Sequence, residues 1–277
     1  MKPNHDEIGV GPTQDLSLRV SIATLVRVIF EHPRDRQLML ALERTATLHE
    51  AENGRVIEVK AQPFGGAVRI LDINAMHDLL GDFHFDSKRS RSEQDFRLFI
   101  RPSSWSAVRE FCILHLSRAD DSILETDPAR ELAEEFDDAL KINLKPEHYV
   151  SQPVATVVEN DPVPTDNIHA RGIPTVRVYR IFEATILDSS LAHAMINSSE
   201  SLSHQDLCTL ALDDVQNGGK GRANAIFALP LKQISDHYVG LSSKEHNAPI
   251  MFEQNLLDNT VSAILEEISL SKYQRTR

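Results

Sequence analysis

Glu131, Glu134, Glu135 and Asp138 recur at intervals of three and four within the stretch D-P-A-R-E-L-A-E-E-F-D-D-A-L, Asp127 to Leu140. At about 100° per residue on a helix they fall within a sector of roughly 100°. Asp127 is a good N-cap, and Pro128 falls at the first helical position, where its missing N–H costs nothing. Leu132, Phe136, Ala139 and Leu140 gather on an adjacent face that can be buried. Like charges at such spacing repel modestly. A hard divalent cation such as Mg²⁺, held by carboxylate oxygens, turns that repulsion into binding. Spacing alone favours the plainer alternative, a solvated acidic face on an acidic protein.

Other residues compete for chemical roles. Gly218-Gly219-Lys220-Gly221-Arg222 is a flexible, basic loop that could meet a phosphate through Lys220 and Arg222. It lacks the Gly-Lys-Ser or Gly-Lys-Thr ending of a P-loop, so a plain loop is the better reading. Glu159, Glu183 and Glu200 could each act as a general base from outside the acidic helix, although such glutamates are usually only solvated. Trp105 and Phe111 could stack on a base, yet their helical spacing fits core packing better.

The 277 residues are enough for one large domain or two small ones. Hydrophobic residues make up 41% and charged residues 25%, as in ordinary globular proteins. A formal charge of −12 argues against a general nucleic-acid or anionic-membrane binder, but not against a small phosphorylated ligand met by a local basic patch or a metal. Cys112 and Cys208 show no metal-ligand spacing, the histidines are scattered, and no signal-peptide or bilayer-length apolar run is visible. The expected location is cytoplasmic.

The elements that must carry these residues read as follows. Residues 1–16 form a polar, mobile tail. Leu18 to Phe30 is strand-like, a turn follows at His32 to Asp35, and Gln37 to Leu42 resumes an extended run. Asn53-Gly54 marks a hairpin returning along Val56 to Val59. Ala61 to Ile70 is strand-like but interrupted by Gly65 and Gly66, as at a bulge or a close backbone approach. Between residues 71 and 100 little periodicity is visible, and Lys88-Arg89-Ser90-Arg91 reads as an exposed loop. A helix opens at Pro102 and carries Trp105, Val108, Phe111 and Cys112. After the acidic helix come strands over Val154 to Glu159 and Thr175 to Leu187, helical turns over Leu191 to Ile196 and Ser203 to Asp213, and a strand over Ala225 to Leu229. Asp258 to Leu270 reads as an amphipathic helix. Strands that neighbour one another in sequence fit a mixed sheet with helices packed on it.

Two separated pieces then resemble the halves of the Nudix box: the K-A-Q-P-F-G-G-A-V segment around Gly65-Gly66, and Arg130-Glu131-Leu132-Ala133-Glu134-Glu135. The resemblance spans roughly residues 20–240 and implies a Nudix-like α/β/α sandwich with a mixed sheet. It places the Nudix-like domain at 17–240, with an insertion at about 71–120, and leaves a helical extension at 241–277. It implies hydrolysis of a diphosphate linkage in a nucleoside diphosphate derivative or related organic diphosphate, with Mg²⁺ or Mn²⁺ on Glu131, Glu134 and Glu135. Arg130 would orient Glu134 and act with Glu131 and Glu134 in catalysis. Gly65, Gly66, Lys220 and Arg222 would touch the substrate. The chain departs from the box at Ser122, where a glutamate is usual, at Leu116 and Asp137, where glycines are usual, and in the insertion. Glu125 could replace the missing glutamate from a differently shaped loop. The departures favour an alternative, a catalytically inactive Nudix-like module that binds a nucleotide-type ligand or regulates a partner. A third reading is an unrelated α/β interaction protein whose acidic helix is only a surface.

Overall fold

The structure, a computed structural model, describes residues 9–51, 54–118, 120–159, 161–165, 167, 169–232, 250–251 and 268–275, the last two segments as backbone. Its elements run β1 (Leu18–Glu31), β2 (Leu38–Ala51), β3 (Gly54–Gln62), β4 (Phe64–Ala67), α1 (Ile73–Leu80), β5 (His84–Phe85), α2 (Lys88–Glu93), β6 (Arg97–Ile100) and α3 (Trp105–Leu116). Then follow α4 (Ala129–Leu140), β7 (Tyr149–Val158), β8 (Val163–Pro164), β9 (Pro174–Ile186), α5 (Ser189–Ser201), α6 (His204–Gln216), β10 (Arg222–Pro230), β11 (Ile250–Met251) and β12 (Ile268–Arg275).

The described strands form one mixed sheet whose main path is β11-β7-β9-β1-β2-β3-β12. β1 is its axis. One edge runs parallel to β9 from Arg19↔Thr175 to Ile29↔Thr185, and the other meets β6, β4 and β2 in turn, all antiparallel. β2 in turn carries β3 beyond Leu42, from Glu43↔Gln62 to Ala51↔Gly54. The switch falls at Pro63, which has no N–H to give a ladder, so the chain leaves β2 at Gln62 and joins β1 at Phe64. The sheet therefore divides beside Glu43, Gln62 and the two glycines.

Alternation along the strands sorts the core into layers. Even-numbered β1 residues face one way. Leu18, Val20 and Ile22 pack with Met76, Val108, Cys112 and Leu116 of α1 and α3. Val26, Val28 and Phe30 pack with Leu132 and Phe136 of α4 and with Leu191 and Met195 of α5. On β10, Ile226 joins this α4–α5 cluster, while its neighbour Ala225 packs with Leu207, Cys208 and Ala211 of α6. Helices α5 and α6 thus lie on opposite faces. The face opposite α4 and α5 also buries Leu40, Leu42 and Ile181.

Several expectations change. Residues 9–16 are tied down: Val10 bridges Phe85, Gly11 N–H donates to the Phe85 carbonyl at 2.9 Å, and Leu16 is buried with Phe99 and Ala170. Lys88 to Arg91 belong to a helix, because Ser87 caps it and buried Ser90 donates to Asp86 at 2.7 Å. The stretch from 71 to 120 is no appendage, since it supplies α1 and α3 to the core. Trp105 and Phe111 pack against that same core. Of the expected helix from Asp258 to Leu270, the residues from Ile268 onward are strand β12, and the rest lies outside the described residues. β12 covers the edge of β3 from Ile268↔Ala61 to Arg275↔Arg55, with a register shift between Ser269 and Ser271. Residues 233–249, with the end of the expected domain at 240, and the hairpin residue Asn53 also lie outside the described residues.

Among the described residues no helix is long and apolar enough to cross a membrane. Phe64 and Phe136 stack at 5.1 Å and are both fully buried, joining β4 to α4. Phe136→Ala should cost roughly 3–5 kcal/mol of stability, read from urea unfolding at unchanged m-value.

Candidate functional site on the acidic helix

The acidic helix begins one residue later than expected, with Pro128 at the cap position and Ala129 the first helical residue, because the Pro128 carbonyl accepts the Leu132 N–H. Asp127 Oδ1 accepts the Ala129 N–H at 2.7 Å, Pro128 follows, and the helix closes at Lys141, which adopts a left-handed conformation (φ 57°). Leu132 and Phe136 are buried, so the positions beside them are drawn down against the sheet. Glu135 Oε2 accepts the Gly65 N–H at 2.6 Å. The carboxylate of Glu131 lies over Gly66, its Oε2 only 2.2 Å from where a Cβ would sit. Gly65 itself has φ +126°, and a Cβ there would fall 2.0 Å from the Thr24 carbonyl oxygen. The two glycines therefore serve different ends: Gly65 allows the backbone bend, and Gly66 makes room for a carboxylate.

A residue that sequence reasoning missed completes this side. Glu43 of β2 has a side chain with no exposure, and it sits at the point where the sheet divides. Gln62 Nε2 donates to it at 2.5 Å and Arg222 Nη2 at 3.1 Å. The available signal was a charged residue inside the apolar alternation Leu40-Ala41-Leu42-Glu43, since a buried carboxylate must have partners.

Glu131, Glu134 and Glu125 converge on Arg130. Its Nη2 lies 2.7 Å from Glu125 Oε2 and 2.6 Å from Glu131 Oε1, and its Nη1 lies 3.3 Å from Glu134 Oε1. Glu134 stands at the outer edge with 61% of its side chain exposed, whereas Glu131 and Glu135 lie inward. Glu125 is delivered by a pinned loop. Its N–H donates to the Arg69 carbonyl at 2.9 Å. Just upstream, buried Asp121 accepts from Ile123 N, Leu124 N and His115 Nδ1. An open cavity of about 390 Å³ adjoins Glu125, walled partly by Leu71, Asp121 and Leu124.

The electrostatics follow from this crowding. Burial, then the charge of Glu43, pushes the Glu135 carboxyl well above its ordinary value, and the Gly65 N–H only partly offsets them. Burial also raises Glu131. Asp95, opposite Arg69 on the inserted segment, is raised to about 6, first by burial, with Arg97 opposing and Glu93 and Glu131 adding. Burial alone would lower Arg130, but the hydrogen bond to Glu125 and the charge of Glu131 prevail and raise it.

The other candidates fall elsewhere. Arg222 joins the site, with its Nε donating to Asn224 at 3.0 Å. Lys220 is exposed on the loop before β10. That loop's N–H groups at Gly221 and Arg222 donate to Asp214, at 2.8 and 3.3 Å, rather than standing open to a phosphate. Glu183 pairs with Arg27 at 2.5 Å on the sheet face away from α4, and Glu159 pairs with Arg177. Glu200 is exposed near the end of α5.

The donor set of Glu43, Glu131 and Glu135 is all carboxylate oxygen, the chemistry hard divalent ions take, and it outnumbers the cations that reach it. Among the described residues no three such side chains form a group that could hold an ion as they stand, and Glu131 and Glu43 are already paired with Arg130 and Arg222. No family model, curated protein or solved structure matches the chain.

A carboxyl whose pKa is raised by folding loses stability as pH rises through that raised value, and contributes no such penalty below its ordinary value. Glu135→Gln keeps an acceptor for Gly65 and removes the penalty. The variant should be the more stable protein at about pH 8, with the difference closing towards the ordinary glutamate value of 4.5, as read from urea unfolding across pH. Gly65→Ala should destabilise more than Gly66→Ala in the same measurement, because its clash is with backbone and its φ is one that L side chains rarely adopt.

Proposed function

We propose that this chain is a divalent-metal-dependent hydrolase of organic diphosphates, nucleoside diphosphate derivatives foremost, built on a Nudix-like arrangement. The observation that carries the reading is the docking of Glu131 and Glu135 onto Gly66 and Gly65, with buried Glu43 across from them. Glu131, Glu135 and Glu43 would hold Mg²⁺ or Mn²⁺. A bound divalent ion neutralises phosphate charge and lowers the pKa of bound water. Arg130 fixes the orientation of Glu131 and ties Glu125 and Glu134 to it. Arg222, with nearly half its side chain exposed, offers a cation at the rim for the anionic substrate. Glu125 takes the place of the missing box glutamate through its contact with Arg130.

A second reading, a Nudix-like module that binds such a ligand without cleaving it, is favoured by one specific observation. The carboxylates are already neutralised in part by Arg130 and Arg222, and among the described residues they form no group that could hold an ion as they stand.

The test is a panel of nucleoside diphosphate sugars, ADP-ribose and dinucleoside polyphosphates with Mg²⁺ or Mn²⁺, followed by release of monophosphate products. Glu131→Gln and Glu135→Gln should each lower turnover by roughly 10²-fold or more with far-UV circular dichroism unchanged. Ligand-dependent thermal stabilisation without turnover in either metal would establish the second reading. Neither turnover nor stabilisation would reduce the acidic helix to a surface.

A further inference from the structure

Arg44 of β2 is a buried cation without a counter-ion. It shares a face of the sheet with Leu42 and Ala46, away from α4, and is only 3% exposed. Cross-strand from it stand Ala61 of β3 and Ala225 of β10, both fully buried and too short to cover a guanidinium. Past Ala225 the side chain reaches the crossing from α5 to α6, where Nη2 donates to the Leu202 carbonyl at 2.8 Å and to the Ser198 carbonyl at 3.4 Å. Both acceptors are neutral. Among the described residues no carboxylate pairs with Arg44, although a buried charge is ordinarily paired.

Two buried polar atoms at this crossing have no hydrogen-bond partner, Arg44 Nε and Nδ1 of His204, the first residue of α6. The two side chains are near enough for the charge of Arg44 to act with burial in lowering the His204 pKa, so the ring stands beside the guanidinium uncharged. A neutral imidazole with its proton on Nδ1 makes both unpartnered atoms donors. The positive end of α6 opens at the same point. Donors, bare charge and helix end all call for the same partner.

We propose that Arg44 and His204 hold a small monatomic anion, chloride foremost, at the junction of α5 and α6. The site lies on the sheet face away from Glu131 and Glu135, and it goes beyond the hydrolase reading without resting on it. Both donor atoms are closed to solvent, which excludes the ester end of a phosphorylated metabolite and leaves a single ion. An anion accepts from a charged and a neutral donor at once, and charge-assisted bonds are the stronger kind. Bound there, it ties β2 to the α5–α6 crossing and stabilises the fold by mass action.

Chloride exchanged for gluconate at constant ionic strength, with the full chain, provides the test. The parent should broaden the chloride NMR line saturably, bromide should displace that broadening, and the unfolding temperature should rise with chloride. His204→Ala leaves the guanidinium in place and should weaken chloride binding about ten-fold, the loss of one donor to a charged partner. Arg44→Met, similar in length, should abolish both the broadening and the response of the unfolding temperature, with circular dichroism unchanged. Should Arg44→Met fail to fold, His204→Ala decides. If the parent shows no saturable broadening, or titrates like His204→Ala, the site is overturned and Arg44 is a cap on α5 completed by water. Broadening that survives in Arg44→Met would place the anion elsewhere and overturn it equally.

Discussion

The site depends on a conflict within one helix. Leu132 and Phe136 of α4 bury themselves between β1, β4 and α5, each contributing on the order of 1.5–3 kcal/mol by leaving water. That burial draws Glu131 and Glu135 down with them, because all four residues share adjoining sectors of the helix. A half-buried carboxylate without a partner would cost as much as the apolar contacts contribute. The fold resolves the conflict locally, with a backbone N–H at Gly65, a missing Cβ at Gly66 and an arginine one residue away from Glu131. Remove any of these and the apolar contacts would have to drag an unpaired charge against the sheet.

The division of the sheet at Pro63 places that resolution where a ligand can reach it. Gly65 stands opposite Leu25 in the β1 ladder, yet its N–H is given to Glu135. The break leaves β4 paired to β1 alone on this side, so its turn can serve a carboxylate, and Glu43 and Gln62 meet at the last rung before the divergence. The inserted segment completes the opposite flank. Its helices fill the core above β1, and its closing loop, organised by Asp121, carries Glu125 to Arg130. An element that separates the glycine pair from the acidic helix in sequence thus becomes one wall of the site in space.

Period and punctuation explain what was readable beforehand. The acidic helix declared itself through Asp127, Pro128 and the spacing of its carboxylates, and its buried face through Leu132 and Phe136. Long strands with β-branched alternation, such as Leu18–Glu31 and Pro174–Ile186, were equally plain. The helices Ile73–Leu80 and Lys88–Glu93 were not: the first is only two turns long, with a stripe of Ile73, Met76 and Leu80, and the second buries only Ser90 and is held by its Ser87 cap. Glu43 was hidden for a different reason. A single charge in an apolar strand says that a partner exists but not which one, and Gln62 and Arg222 are brought to it only by pairing across two other strands. Arg222 was suspected for its basic loop, yet the loop's N–H groups turn to Asp214 and only the side chain reaches the site.

Charge balance decides what such a site can do. On one flank Arg130 gathers Glu125, Glu131 and Glu134. On the other, Arg222 reaches Glu43 beside Glu135, so carboxylates outnumber arginines on both sides. If the arginines were permanent partners, the excess would be relieved by protonation, and Glu135 already leans that way. That excess falls on the inward carboxyls, where burial and the neighbouring carboxylate charge hold the proton affinity of Glu135 and Glu131 above its ordinary value, while exposed Glu134 faces water.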